Sequence, residues 1–486
     1  MGEQAGTDLC FWSAAQVVEA IAARRLSARE YLAALLDRIT LYNPPLNLVV
    51  SLDGRAEAAA RRADDDTARG VSRGPLHGLA MTVKDSLCTA GLRTTAGSPH
   101  LARHVPDEDA HAIALLREAG AIVFGKTNLA AESMDVQSCN ELFGVARNPW
   151  NPGRSPGGSS GGGAGAVAAG FTPVELGSDL AGSIRIPASN CGVFGHRPTF
   201  GVVPFGGHLP PYRPTLPDLA VVGPFARTVD DLETLLDVVV APHPWDRPAW
   251  QVTLPPARPV RRVAVWADDP YCPVDPQVRA ALDHAAGLLA ADGVAVEEAA
   301  PAGVELSVSD LVMRRSLAAA AMPGLSAQYL EEIAHGHRRP VATLGGDHVA
   351  QRHRDWLLAQ DLRARLRRCW HAFFHAYDAV LLPVTAAPAI EHDHRPFAER
   401  HITVGGAERP YWDQLVWVGL TGVCHLPTTV VPARLDDHGV PIGVAVTGPY
   451  LGDRTTLALA RRLGDLVGSL GRPPDPTPTI TPDGAR

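Results

Sequence analysis

Short apolar runs alternate with helical patterns along most of this 486-residue chain, and this alternation is what most limits its fold. Apolar runs at 78–84, 121–124 and 173–177 are separated by helical patterns at 108–119 and 161–170. Strands that alternate with helices are typical of a sheet with helices on both faces. The same order returns later, with strands at 262–267, 294–298 and 378–383, a helix at 276–292, and two more strands within 426–447. We therefore predict a layered α/β fold.

The chain is predicted to form one large domain over residues 1–470, with no internal repeat. Its core is expected at about 60–240 and 376–470, and a mostly helical, Arg-rich insertion at about 305–376. Residues 471–486 are rich in proline and are expected to form a flexible tail.

Composition excludes several classes of partner. A net charge of −8 without a basic block argues against nucleic acid or an anionic membrane as the main partner. No uninterrupted run approaches the 18 apolar residues of a transmembrane helix, and the acidic N-terminus does not resemble a signal peptide. The seven cysteines are scattered without a C-x-x-C pair, which indicates reduced thiols and no zinc site. We predict a soluble, cytoplasmic protein.

Only two of the 44 lysine and arginine residues are lysines, Lys84 and Lys126. A chain that favours arginine this strongly is expected to keep lysine where an amine must lose its proton, which a guanidinium does not do in proteins. Lys84 ends the apolar run Gly78-Leu-Ala-Met-Thr-Val-Lys84, which predicts a buried strand. Burial lowers the pKa of a lysine toward neutrality. Lys84 is therefore a candidate base, although two lysines surviving by chance is the alternative.

A second unusual segment, 155–170, is rich in serine, glycine and alanine. One interpretation is a dinucleotide fingerprint, because Gly163-Ala-Gly165-Ala-Val-Ala168 fits G-x-G-x-x-A, but a turn precedes it where the fingerprint needs a strand. Another is a flexible linker, which the helical Ala-Val-Ala-Ala continuation disfavours. The third is a loop whose glycines let the backbone approach a reacting centre while presenting Ser159 and Ser160.

The next segment, 177–187, favours the third interpretation. It places Ser183 after a glycine-containing turn that follows an apolar strand, and such a turn can aim successive backbone N–H groups at one point. Ser183 is then a candidate nucleophile, and a serine nucleophile needs an adjacent base. Lys84 is one candidate base, and four histidines are the others by sequence: His77, His104, His111 and His196.

These segments together resemble the amidase signature family of Ser-Ser-Lys hydrolases. Lys84 precedes Ser159 by 75 residues and Ser159 precedes Ser183 by 24, and both spacings fit that family. The resemblance covers roughly residues 13–470 and implies a single α/β/α domain with a central mixed sheet. Three motifs carry it: Gly-Leu-x-x-x-Val-Lys84-Asp, Ser-Pro-Gly-Gly-Ser159-Ser160-Gly-Gly, and Gly-Ser-Asp-Leu-Ala-Gly-Ser183-Ile-Arg-Ile-Pro.

The resemblance also implies roles for individual residues. Ser183 corresponds to the acylated nucleophile, Ser159 to the bridging serine after a cis peptide bond, and Lys84 to the base. No metal or cofactor is implied. The chain departs from many family members by having alanine where they have the first of two glycines before the nucleophile. The oxyanion is expected on the backbone N–H groups of Leu180, Ala181, Gly182 and Ser183.

Three further residues near these motifs are predicted to be supporting residues. Lys126 and Arg185 are expected to be structural, with Arg185 anchoring the turn, and Ser160 is expected to support the loop by hydrogen bonding.

The substrate pocket is less defined by the sequence. By position in the family, Ser133 and Met134 match the acyl side, although Met134 as plain core is an equal alternative. The Pro- and Gly-rich segment 205–217 predicts a long exposed loop, with a lid over the cleft and an inert surface loop as the two alternatives, and Arg213 is its only charge. Three aromatic residues precede a segment that lies near the pocket in the family, which suggests aryl or hydrophobic amides and carbamates: Tyr411, Trp412 and Trp417.

Three functions are compatible with the sequence. The first is a free-standing amidase acting on a small amide or carbamate, with ester hydrolysis as a side activity and a homodimer left open. The second is the amidase subunit of a tRNA-dependent amidotransferase, which typically carries Glu-Phe-Ala-Met-Gly-Ser-Ser where this chain reads Glu132-Ser-Met-Asp-Val-Gln-Ser138. The third is a non-catalytic binding protein, which the presence of Lys84, Ser159 and Ser183 disfavours.

Overall fold

The computed structural model describes residues 9–209, 217–321, 326–337 and 348–477. Its strands are β1 (Val49–Leu52), β2 (Ala80–Lys84), β3 (Ile122–Thr127), β4 (Cys139–Asn140), β5 (Gly144–Val145), β6 (Val174–Asp179), β7 (Phe194–Arg197), β8 (Val221–Ala226), β9 (Arg262–Val265), β10 (Ala295–Glu298), β11 (Ala379–Pro383), β12 (His401–Val404), β13 (Ala407–Pro410), β14 (Thr428–Leu435) and β15 (Pro441–Thr447).

Eleven of these strands form one sheet, in the order β1-β3-β2-β6-β8-β7-β14-β15-β11-β9-β10. Strand β2 pairs in parallel with β3 and β6, and β9 pairs in parallel with β10 and β11. The remaining pairs in the sheet are antiparallel. The predicted mixed sheet is therefore confirmed, and two small ribbons, β4-β5 and β12-β13, lie outside it.

Helices cover both faces of the sheet. They are α1 (Ala14–Ala22), α2 (Ala28–Leu46), α3 (Ala56–Ala68), α4 (His111–Glu118), α5 (Gly161–Ala168), α6 (Arg185–Cys191), α7 (Val229–Val239), α8 (Pro276–Ala291), α9 (Leu306–Ala321), α10 (Ala327–Ala334), α11 (His353–Phe373), α12 (Asp413–Gly422) and α13 (Asp453–Val467). Helix α2 begins at a capping box in which the Ser27 hydroxyl accepts from the Glu30 N–H and the Glu30 carboxylate accepts from the Ser27 N–H.

Two hydrophobic cores lie on the two faces of the sheet, because successive strand residues point to opposite sides. In β11, Leu381 belongs to one core, whereas Val380 and Leu382 belong to the other. The first core is completed by α1–α4, α7, α8 and α13, and the second by α6, α9, α11 and α12. These layers form the predicted α/β/α domain.

The candidate site lies where β2 and β6 end side by side. These two strands are parallel and buried along their whole length, so Lys84, Ser178 and Asp179 reach the same edge of the sheet. Ligand sites of open α/β sheets form at such carboxyl ends. Helix α5 packs close to this edge: a Cβ on Gly162 would lie 2.3 Å from the Asn128 carbonyl oxygen, so the approach requires glycine.

Helices α9, α10 and α11 lie within the segment 305–376 that was predicted as an insertion. Its status as a separate unit stays a prediction, and residues 322–325 and 338–347 of this segment lie outside the described residues. Residues 478–486 of the expected tail lie outside them as well. Among the helices that the structure describes, none is long and apolar enough to cross a membrane.

Candidate active site

Lys84, the last residue of β2, is completely buried at the edge of the sheet. Its Nζ lies 2.6 Å from Ser159 Oγ and 3.0 Å from Ser178 Oγ. Burial lowers the pKa of Lys84 to about 7, and the negative charges of Asp179 and Glu175 only partly oppose this shift. A large fraction of Lys84 is therefore neutral at physiological pH and has a lone pair to accept a proton.

Ser159 is held by two hydrogen bonds to its carbonyl oxygen. The Gly158–Ser159 peptide bond is cis, and the Ser159 carbonyl oxygen accepts a hydrogen bond from the Ala130 N–H at 3.2 Å. The Ser138 hydroxyl lies 3.2 Å from the same oxygen and accepts from the Gly161 N–H at 2.8 Å. The sequence does not single out Ser138, because nothing in its local pattern indicates that it braces a loop about twenty residues later.

Ser183 lies in a turn from which backbone N–H groups donate hydrogen bonds to the Asp179 carboxylate. Asp179 accepts hydrogen bonds from the Gly182 N–H at 2.8 Å and the Ile184 N–H at 3.2 Å. Arg185 binds the same carboxylate through Nε and Nη2, both at 2.9 Å, which confirms the prediction that Arg185 anchors the turn. Burial opposes the ionisation of Asp179, but the charges of Arg185 and Arg197 outweigh burial and hold the pKa of Asp179 well below its ordinary value.

One predicted oxyanion donor is therefore already occupied. The Gly182 N–H donates to Asp179 instead of pointing at a substrate, because the carboxylate reaches back over the turn. Within the described part of the chain, the N–H groups of Leu180, Ala181 and Ser183 have no protein acceptor. These three remain as candidate donors, and Ser183 itself is 7% exposed at the bottom of the turn.

The two serine-containing loops adjoin through Ser160. Its N–H donates to the Ser183 carbonyl oxygen at 3.3 Å, and its hydroxyl donates to the Ser178 carbonyl oxygen at 3.2 Å. Ser160 thus has the supporting role that the sequence predicted. These bonds fix the loop of Ser159 against the turn of Ser183.

Among the four histidines considered from the sequence, His111 packs against His243 with 4.7 Å between ring centroids, and two others have polar partners away from Lys84. His196 is buried against Asp453 and Thr429, and His77 lies 3.0 Å from the Thr67 hydroxyl. A fifth histidine, His208, lies at the site: its Nε2 is 2.8 Å from Ser178 Oγ. Its position depends on a return of the chain between β7 and β8, which local sequence patterns do not show.

Lys126 is as buried as Lys84 but has a different environment. Its Nζ donates to the Leu87 carbonyl oxygen at 2.5 Å and to Thr89 Oγ1 at 2.9 Å. Burial lowers the pKa of Lys126 to about 8, against the opposing charge of Asp85. These bonds tie β3 to the segment after β2, as expected for a structural lysine.

The pocket residues predicted from the sequence differ in how far they are buried, and one of them lies outside the described residues. Ser133 and Met134 are half-buried, and the Ser133 hydroxyl oxygen is buried without a hydrogen-bond partner. The segment 205–217 was expected to be exposed, but residues 205–209 are partly buried and the Leu209 N–H donates to the Ser86 carbonyl oxygen at 2.8 Å. Arg213 lies outside the described residues.

The three aromatic residues proposed for the pocket are buried in the second core and satisfied there. Tyr411 donates its hydroxyl to Asp135 at 2.9 Å, Trp412 donates its indole N–H to Asp310 at 2.6 Å, and Trp417 donates to the Cys272 carbonyl oxygen at 3.0 Å. Their polar groups are thus engaged in the interior, and their place in an aromatic pocket stays a prediction. A buried indole or phenol needs a polar partner, and here the partners lie in the protein interior.

Two kinds of comparison agree with this geometry. The family model described as Amidase matches residues 30–457. An indoleacetamide hydrolase from Bradyrhizobium diazoefficiens is 34% identical over 476 residues, which are 94% of this chain and 88% of that protein. A glutamyl-tRNA(Gln) amidotransferase subunit from Carboxydothermus hydrogenoformans is 31% identical over 482 residues, which are 93% and 96%.

A solved structure of a bacterial aryl acylamidase of the amidase signature family matches with a TM-score of 0.79 and 25% identity, covering 95% of this chain and 99% of that one. Family model, relatives and fold therefore agree over nearly the whole chain. The chain belongs to the amidase signature family and is an enzyme that hydrolyses the carbon–nitrogen bonds of amides.

Proposed function

We propose that this enzyme hydrolyses aryl or hydrophobic carboxylic amides through an acyl-enzyme on Ser183, with Ser159 and Lys84 as a proton relay. The observation that carries the proposal is the 2.6 Å contact between Lys84 Nζ and Ser159 Oγ in a completely buried position. A neutral amine beside a hydroxyl is the arrangement that a lysine base requires.

In the proposed acylation step, Ser183 Oγ attacks the amide carbonyl carbon. Its proton passes to Ser159 Oγ while the Ser159 proton passes to Lys84 Nζ. The oxyanion that forms is stabilised by the N–H groups of Leu180, Ala181 and Ser183, which have no other acceptor among the described residues. When the tetrahedral intermediate collapses, the same relay returns the proton to the departing nitrogen, so the amine leaves neutral.

In the proposed deacylation step, water attacks the ester carbonyl of acylated Ser183. Lys84, now neutral again, accepts the water proton through Ser159, and the relay then returns it to Ser183 Oγ. The enzyme ends in its starting protonation state, with one amide bond broken and one water consumed. Neither step requires a group that the chain itself does not supply.

The pH dependence of the reaction follows from the Lys84 base. The lysine acts when neutral, and burial lowers its pKa to about 7. We expect kcat/KM for an anilide to rise with pH, to reach half its maximum near pH 7, and to fall roughly tenfold for each pH unit below that. A pH–rate profile on the wild type measures this. A rate that is constant from pH 5.5 to 8.5 would contradict a titrating lysine base.

The substrate class rests on weaker support than the chemistry. Met134 is half-buried and apolar, and the adjacent Ser133 hydroxyl oxygen has no hydrogen-bond partner among the described residues, so we propose that the two form the acyl side of the pocket. The names of two similar proteins, an indoleacetamide hydrolase and an aryl acylamidase, also favour aryl groups. Aryl carbamates and esters present the same type of carbonyl to Ser183, so we propose them as secondary substrates.

A matched substrate series tests this class. It contains an aryl anilide, a short-chain aliphatic amide, an aryl carbamate, a nitrophenyl ester and glutamine. We expect kcat/KM for the anilide to exceed that for the aliphatic amide by roughly tenfold, because burying an aryl group contributes more than burying a short chain. Equal rates on the two amides would remove the aryl preference and leave the amidase assignment intact.

A second candidate is the amidase subunit of a tRNA-dependent amidotransferase. It is favoured by the 31% identity to such a subunit over nearly its whole length. It is disfavoured by Glu132-Ser-Met-Asp-Val-Gln-Ser138, which differs from the stretch typical of that subunit. Turnover of glutamine alone, together with stable co-purification of a partner subunit, would favour this candidate over the first.

We also propose a cytoplasmic location. The seven cysteines form no disulfide in the structure, and Cys191, Cys272 and Cys424 are buried and hold their thiols protonated, since burial raises the pKa of each. Free thiols of this kind are typical of a reducing compartment.

A further inference from the structure

Lys84 has a second hydroxyl partner, Ser178, and this serine is in turn bound to a histidine. Lys84 Nζ donates to Ser178 Oγ at 3.0 Å, and Ser178 Oγ lies 2.8 Å from Nε2 of His208. The proposed relay uses only the contact to Ser159. The Lys84–Ser178–His208 chain therefore has no role in the mechanism described so far.

The position of His208 is fixed by backbone contacts on both sides. The Cys88 N–H donates to the Gly207 carbonyl oxygen at 2.9 Å, and the Leu209 N–H donates to the Ser86 carbonyl oxygen at 2.8 Å. The ring of Phe205 packs on the imidazole, with 4.6 Å between ring centroids. These contacts hold His208 against the segment that follows β2.

The proton positions in the hydrogen-bonded series Lys84–Ser178–His208 can be assigned from the hydrogen bonds that each group is able to make. Ser178 Oγ accepts from Lys84, so its own proton needs an acceptor. Among the described residues, the acceptors within reach are Nε2 of His208 and the lone pair of neutral Lys84. Burial and the nearby charge of Lys84 hold the pKa of His208 well below its ordinary value, so the ring is neutral, and Nε2 accepts in the tautomer that carries its proton on Nδ1.

The choice between these two acceptors matters for the base. If the Ser178 proton points to His208, Lys84 turns an N–H toward Ser178 and its lone pair toward Ser159. If the Ser178 proton points to Lys84, it occupies the lone pair that must accept the Ser159 proton. A competing donor of this kind stabilises the neutral amine and lowers its reactivity.

We infer that His208 is a positioning residue, which accepts the Ser178 hydroxyl proton and so keeps the Lys84 lone pair directed at Ser159. This inference rests on the proposed function and extends it. The charged groups facing Lys84 are Asp179 and Glu175, on the neighbouring strand β6, and the group facing His208 from that side is Lys84 itself. The Ser86 hydroxyl also lies 3.1 Å from Nε2, whereas the hydrogen bonds of Lys84 Nζ go to Ser159 and Ser178.

The test uses a fluorophosphonate probe on the full chain, since the natural substrate is unidentified. Ser183 Oγ forms a bond to phosphorus as the P–F bond breaks, the serine proton passes through Ser159 to Lys84, and fluoride leaves. The labelling rate as a function of pH then reports both the reactivity and the pKa of the base. The variants are His208→Phe, His208→Gln, Ser178→Ala, the double variant His208→Phe/Ser178→Ala, and Ser86→Ala as the matched control.

His208→Phe keeps the packing volume but removes the acceptor. We expect its maximum labelling rate to fall roughly three- to tenfold, and the midpoint of its acid limb to move roughly half to one pH unit lower. His208→Gln, whose carbonyl oxygen can reach the position of Nε2, is expected to recover most of the rate. Ser86→Ala is expected to keep the wild-type midpoint, because it touches the ring but not the lysine.

The double variant separates positioning from simple packing. Because His208 acts through Ser178, His208→Phe should have no additional effect on the labelling rate once Ser178 is alanine. An equal slowing in both backgrounds, or a wild-type pH profile for His208→Phe, overturns the inference. If the phenylalanine variant does not fold, His208→Leu provides the same comparison.

Failure of the proposed function gives a different result. Lys84→Met labelled as fast as wild type would overturn the relay, and this inference with it. Slow labelling of Lys84→Met together with wild-type behaviour of His208→Phe would overturn the role of His208 alone. The two results are read from the same set of labelling curves.

Discussion

Replacing Ser183 by alanine is expected to abolish hydrolysis of every amide, carbamate and ester that the enzyme accepts. The variant loses the only atom that forms the proposed covalent bond, and removing a serine nucleophile of this type costs roughly 10⁴- to 10⁶-fold in kcat. The methyl side chain fits the space, since Ser183 is nearly buried in a turn held by Asp179. The measurement is kcat on the anilide and the nitrophenyl ester, with circular dichroism to establish that the fold is intact.

A matched control for this variant is Ser189→Ala. Ser189 lies in helix α6, six residues after Ser183, and its hydroxyl accepts from the Gly443 N–H at 2.8 Å, away from the serine loops. It is a buried serine like Ser183, so its replacement should cost stability of about 1 kcal/mol but leave kcat within roughly threefold of wild type. Wild-type turnover by Ser183→Ala would show that Ser183 is not the nucleophile.

Replacing Lys84 by methionine is the second large effect that we expect. Methionine has a similar shape but no basic amine, so kcat for amides should fall roughly 10³- to 10⁴-fold. Nitrophenyl esters should lose less, because a nitrophenolate leaves without receiving a proton. The ratio of amide to ester activity is therefore the diagnostic quantity. An equal loss on both substrates would indicate that Lys84 only holds the site together.

Lys126→Met is the natural control for this variant. The two lysines are equally buried, but Lys126 bonds to Leu87 and Thr89 and to neither of the two serines that Lys84 contacts. Its replacement leaves the Leu87 carbonyl oxygen without this partner, so the thermal midpoint should fall while kcat of the folded enzyme stays near wild type.

The sequence predicted the layers of the fold because each strand and helix carries its own pattern. Strand β2 was expected at 78–84 and is found at Ala80–Lys84, and α8 was expected at 276–292 and is found at Pro276–Ala291. Their apolar residues and caps are local, so nearest neighbours suffice to define them. The order of strands in the sheet is set by pairing between distant segments, which local patterns do not contain.

The sequence predicted a site residue only where that residue lies in a distinctive local motif. Lys84, Ser159 and Ser183 each lie in a distinctive run, whereas Ser138, Asp179 and His208 act on atoms that are distant in sequence or hidden in a turn. The engagement of the Gly182 N–H by Asp179 shows the difference most clearly. Glycine before the nucleophile indicates a tight turn, but it does not show which way each N–H points.

The sequence also did not predict the direction in which a large side chain points. Tyr411, Trp412 and Trp417 lie in or just before α12, and each donates its polar hydrogen to a partner in the interior. Helix periodicity places such residues on a face, but the acidic partners Asp135 and Asp310 come from other segments. Only the packed structure decides whether an aromatic ring contacts core or substrate.

The burial of both lysines has a consequence for handling the enzyme. Every other basic side chain apart from histidine is an arginine, so the folded surface offers no lysine amine to an acylating dye, a crosslinker or an aldehyde-activated resin. Such reagents react with a lysine of this chain only when β2 or β3 opens to solvent. The rate of lysine acylation, followed by peptide mass spectrometry, thus measures how often the structure around Lys84 and Lys126 opens to solvent.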